Sequence, residues 1–157
     1  MAFKRAWRNF KRMQDLTVAA ACLIYAAAVV HALDVLPGGM AAALRYTLGW
    51  PAAWLAAAYL IPILTPVLKR WMARWVWMSF QAGFGQTPSS ILSGVALLLG
   101  AGAFIYWQTD RAAAGHVGAN AFTAFAAGIG ILAAQAMLVR ALEGLPEVRV
   151  LIEEKSV

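Results

Sequence analysis

Residues 112–139 read AAAGHVGANAFTAFAAGIGILAAQAMLV and contain no Asp, Glu, Lys or Arg. The same holds for 16–33, 46–68 and 75–109. A helix needs about 20 residues to cross about 30 Å of hydrocarbon, and each stretch reaches or approaches that length. The chain around them has 157 residues, 62% hydrophobic and 13% charged, with a mean hydropathy of +0.68. A soluble domain carries roughly 25% charged residues. Four such runs in so short a chain exceed what one soluble core can bury. The expected fold is all-α: a polytopic membrane protein, a four-transmembrane-helix bundle with spans at about 17–36, 46–68, 88–109 and 118–139. A cationic amphipathic segment, 1–16, precedes this 17–145 domain, and a polar tail, 146–157, follows it.

Punctuation supports these limits. Pro37-Gly38-Gly39 ends the first span. Pro51 suits the first turn of the second, while Pro62 and Pro66 predict a kink or local unwinding deep within it. Thr87-Pro88 reads as N-cap and first turn of the third span, and Asp110-Arg111 as the polar loop after it. The run ending in Val30-His31-Ala32 also fits a signal peptide cut after Ala32. The long charged segment before it and the apolar residues Val35-Leu36 after it weigh against cleavage. Cys22 reads as a small packing residue, since a single cysteine forms no intramolecular disulfide. In the tail, Glu147-Val148-Arg149-Val150 alternates like a short strand, on an otherwise loose terminus.

At helical spacing Phe3, Trp7, Phe10 and Met13 gather on one side of segment 1–16, and Lys4, Arg8, Lys11 and Arg12 on the other. This suits an interfacial helix with its rings in lipid and its cations toward anionic phosphates, or a plain positively charged flank. In 69–87, Lys69, Arg70 and Arg74 alternate with Trp71, Trp75 and Trp77, the composition of a membrane–water boundary. Lying between two spans, this segment reads as interface and not as a nucleic-acid site. Eleven of the 13 Lys and Arg residues fall on the side of the two termini; only Arg45 and Arg111 fall on the other. Positive loops stay in the cytoplasm, so both ends are placed there, in a cell inner membrane. Trp7, Trp71, Trp75 and Trp77 would mark the inner boundary, and Trp50, Trp54 and Trp107 the outer one.

Motifs that carry chemistry are missing: the sequence has no CxxC, HExxH, P-loop or GxSxG. Nor does a carboxylate lie deep inside any span, Asp34 standing near the outer end of the first, which argues against a self-sufficient pump. No enzyme activity and no cofactor is expected. His31 and Asp34 share a helix face, and His116 lies near Asp110 and Arg111 in the other outer loop. That arrangement admits a metal or haem site using His31 and His116, or simply polar residues gathered at an interface. Small residues recur at four-residue spacing: Ser90/Gly94, Ala96/Gly100, Ala124/Gly128, Ala126/Gly130 and Gly130/Ala134. Such rows let helices approach closely, within the chain, in a homo-oligomer or against a membrane-protein partner. Asn120, Gln135 and Ser89-Ser90 are candidate interhelical hydrogen-bonding residues.

Arg45-Tyr46, followed by Gly49, Pro51 and Trp54, resembles a stretch in the small membrane subunits of TRAP-type solute transporters. Members of that family have four spans with both ends inside. The resemblance implies a structural partner for a large substrate-carrying subunit and a periplasmic binding protein. It covers 45–54 alone. Ala56 and Ala57 stand where the family commonly has a carboxylate pair, and Pro37-Gly38-Gly39 interrupts a region it keeps helical. The functional expectation is a non-catalytic accessory or assembly subunit of a larger inner-membrane complex, for secretion, conjugation, respiration or transport. A TRAP-type small subunit and a haem- or metal-binding anchor are the alternatives.

Overall fold

The computed structural model describes residues 2–83, 88–116 and 121–144. Its elements are α1 (Ala2–Val35), α2 (Gly39–Leu44), a π turn (Arg45–Gly49), α3 (Trp50–Leu64), α4 (Pro66–Gly83), α5 (Pro88–Ala113) and α6 (Ala121–Glu143). Among the described residues there is no strand, so the all-α expectation holds. Thr87, Asn120 and the tail, with its strand-like 147–150, lie outside the described residues. So do the side chains of Lys69, Ser89 and Ser90.

Among the described residues two helices, Phe3–Val35 and Ala121–Glu143, are long and apolar enough to cross a membrane. Four were expected, and the second stretch shows why it falls short. Residues 46–68 are not one helix but a π turn, α3 and the start of α4. Thr65 is extended (φ −98°, ψ 109°), because the ring of Pro66 disfavours helical backbone at the residue before it. Pro66 then opens α4, where its missing N–H is harmless. The 15 residues of α3 reach only about 22 Å. The third stretch lies in α5, which continues through Asp110-Arg111 to Ala113, so that pair is helical and not a loop.

Segment 1–16 is likewise no separate helix. With no Gly or Pro from Ala2 to Leu36, α1 runs unbroken for 34 residues, about 51 Å. It stops at Pro37, where Gly38 (φ 98°) and Gly39 (φ 74°) adopt left-handed backbone that a Cβ would strain. Pro51 has a further consequence upstream. It cannot return an N–H to the Thr47 carbonyl four residues back, and the Tyr25 hydroxyl of α1 donates to that carbonyl instead. The Thr47 hydroxyl donates to the Ala43 carbonyl at 2.9 Å, so this buried residue is satisfied at both groups.

Helix α6 is the hub, in contact with α1, α3, α4 and α5. Two buried clusters flank it lengthwise. One gathers Phe3, Trp7, Phe80, Ala134, Leu138, Val139 and Leu142, with Phe10, Ala73 and Trp77 packed on it. The other joins Ala28, Ala32, Ile105, Ala121 and Phe122, with Tyr25, Tyr46, Tyr106 and Phe125 around them. The first cluster corrects the reading of segment 1–16. Its rings face α4 and α6 and not lipid, and only Met13 of the expected apolar side is exposed.

Candidate functional site

Running antiparallel, α1 and α6 place their charged ends together. At the start of α1, Trp7 is 3% exposed. Its ring meets Phe80 edge-on at 4.7 Å, Phe10 at 6.0 Å and Trp77 at 6.3 Å between centroids. The indole N–H donates to the Glu143 carboxylate, which also accepts from Lys11 Nζ at 2.6 Å. One turn further, Arg140 Nη2 donates to both oxygens of Asp15, at 3.0 and 2.8 Å. Two carboxylates thus neutralise Lys11 and Arg140. Lys4, Arg5, Arg8 and Arg12 on α1 and Arg70 and Arg74 on α4 remain exposed. Trp71 and Trp75 are exposed beside them, at 62% and 39%.

The tryptophans expected at membrane boundaries therefore divide. Trp50, Trp54, Trp71, Trp75 and Trp107 show their rings to the surroundings, and the Arg111 guanidinium lies 4.9 Å from the Trp107 ring centre. Trp7 and Trp77 turn into the protein. The sequence grouped Trp77 with Trp71 and Trp75 at a boundary; the path of α1 supplies the partner, Trp7, that covers it.

At the opposite end, His31 Nε2 pairs with Asp110 Oδ1 at 2.8 Å, and the His31 ring lies 4.6 Å from that of Tyr106. The partner is Asp110 on α5, not Asp34, which is exposed on α1. His116 is exposed just past α5, its backbone N–H donating to the Arg111 carbonyl at 3.0 Å. Among the described residues no three His, Cys, Asp or Glu side chains converge as a metal site would require. The contact reads as a clip between α1 and α5. Asp110→Asn should lower stability by less than about 1 kcal/mol, since exposed ion pairs contribute little, and a thermal melt in mild detergent checks it.

The glycines expected to pack helices also divide. A Cβ on Gly130 would stand 2.7 Å from Ala58 Cβ and 3.0 Å from the Leu55 carbonyl oxygen, so α3 rests directly on it. Ala126 and Ala134, one turn either side, are fully buried. At Gly94, Gly100 and Gly128 a Cβ would meet nothing within 4 Å. Gly102 was not anticipated: a Cβ there would stand 3.0 Å from Ile24 of α1. Leu98 and Tyr106 bracket it at four-residue spacing, so no small-residue pair announces it. Tyr25 and Thr47 also escaped the sequence reading, because their bond depends on α1 passing the π turn. Compared with family models, curated proteins and solved structures, the chain finds no match.

Proposed function

We propose that this chain is a multi-pass inner-membrane protein with both termini in the cytoplasm, acting as a non-catalytic accessory or assembly subunit of a larger membrane complex. Two helices of spanning length and the eleven-to-two division of Lys and Arg support the placement. The observation that carries the functional reading is on α5. Leu92, Leu97 and Leu99 are 73%, 79% and 63% exposed, and the close-approach positions Gly94 and Gly100 face open space. The chain uses one small-residue row internally, Ala126/Gly130/Ala134, and leaves the α5 pair Ala96/Gly100 open. In lipid, such a row favours a second helix through close van der Waals packing. Purification from native membranes in mild detergent, after brief crosslinking, is expected to bring down a larger membrane protein. Recovery as a lone monomer across several detergents defeats the proposal.

A second reading, the TRAP-type small subunit, draws on the 45–54 stretch. Pro51 is buried, and the Tyr46 ring packs edge-on against Phe122 at 5.6 Å, while Arg45, Gly49 and Trp54 are exposed. That leaves one anchored and one open side for a large subunit. The same purification separates the two readings. A co-purifying multi-span solute carrier favours the transporter; a secretion or respiratory component favours the general assembly role.

A further inference from the structure

The amphipathic start of α1 has lost its apolar side to the protein interior. Phe3, Trp7 and Phe10 pack among Phe80, Trp77 and Leu138, leaving the cationic side outward. Among the described residues, the carboxylates at that end, Asp15 and Glu143, are held by Arg140 and Lys11. Among the described residues Lys4, Arg5, Arg8, Arg12, Arg70 and Arg74 have no ion-pair partner. Five of these six are arginines, whose planar guanidinium matches phosphate oxygens two at a time.

From these facts we infer that this end binds anionic phospholipid by charge, with headgroup phosphates as the ligand; the inference rests on the membrane placement proposed above. Two features select a lipid surface over a single phosphate. Lys4, Arg8 and Arg12 are spread over about 12 Å of α1, with Arg70 and Arg74 on a second helix. Trp71 and Trp75 stand exposed beside the α4 pair, as rings do at the level of headgroups. Arg12 is only about 4.5 Å along the helix from Asp15, whose pair with Arg140 lies where the uncharged runs of α1 and α6 begin and end. The cations nearest that level therefore sit within one Debye length of a headgroup plane. Because no ring of α1 is left to insert, the attraction is electrostatic and weakens with salt.

The test uses the full chain reconstituted in phosphatidylcholine vesicles with traces of spin-labelled phosphatidylglycerol or phosphatidylcholine. The wild type is expected to prefer phosphatidylglycerol by about fivefold, falling toward parity in high salt. Arg8→Gln, Arg12→Gln, Arg70→Gln and Arg74→Gln together should abolish the preference, whereas Arg→Lys at the same four positions should keep most of it. Equal association of both lipids with the wild type overturns the inference. So does full preference in the Gln variant, or its loss in the charge-preserving Lys variant. Alkaline carbonate extraction of native membranes separates the two levels. Release of the chain refutes the membrane placement itself; retention without lipid preference refutes only the lipid site.

Discussion

Trp7→Ala should lower the stability of the protein by about 3–5 kcal/mol, the range for emptying a fully packed aromatic site. The indole is buried among Phe10, Trp77 and Phe80 and sits against the C-terminal turns of α6. Its removal leaves a void where α1, α4 and α6 meet and takes the N–H donor from Glu143. For a chain of this size the loss should appear as a fall of the order of 10 °C in the thermal midpoint in mild detergent. Trp7→Phe, which keeps most of the ring and drops the hydrogen bond, should cost much less. Glu143→Gln should cost about 1 kcal/mol or less, its Lys11 pair being about one-third exposed on both sides. If Trp7 were a ring resting in lipid, the alanine variant would melt with the wild type, and that result would reject the aromatic cluster.

Gly130→Leu should be similarly damaging, for the opposite reason. There is no room for even a methyl group: the nearest atoms of α3 are a backbone carbonyl oxygen at 3.0 Å and Ala58 Cβ at 2.7 Å, neither a flexible tip that could swing away. The side chain must push α3 off α6 along the most intimate contact in the fold. Overpacking typically costs 1–3 kcal/mol, and a rigid backbone neighbour places this site at about the upper end. Gly128→Ala, two residues away on the same helix, meets open space and should be neutral or slightly stabilising through helix propensity. Melting both variants side by side isolates the contact from any general intolerance of α6. Equal behaviour of the two would show that α3 does not rest on Gly130.

Much of the helix pattern is legible along the chain because its causes are local. Absence of Gly and Pro keeps α1 going for 34 residues, and Pro37-Gly38-Gly39 stops it. Pro66 breaks the second stretch through its effect on Thr65, a clash between adjacent residues. The expected unwinding there was readable; the division of the stretch into two helices, α3 and α4, was not. The α6 row Ala126/Gly130/Ala134 was also readable as a packing surface, since small side chains four apart make a flat helix face in any context.

The direction each face turns was not readable in the same way. Identical spacing put Phe3, Trp7 and Phe10 on one side of α1, but spacing cannot say whether lipid or protein covers that side. The same ambiguity attached to Gly94 and Gly100 against Gly130, equal as motifs and opposite in use. His31 shares its helix face with Asp34, yet takes Asp110 from a helix far along the chain.

The long uncharged runs determined, by themselves, that the protein is helical; they offered four spans, and the structure leaves two described helices, the first and the last, long and apolar enough to cross a bilayer. Burying a helix-length apolar run permits little else, and charge and proline act on neighbours within a turn or two. The tertiary structure alone decided that α6 is the hub, that Trp7 and Gly130 are interior, and that the start of α1 shows its cations without its rings. Those outcomes depend on which helix arrives at a face, and that contact is made between residues far apart in the chain, Ala58 with Gly130 and Trp7 with Glu143, where no local pattern reaches.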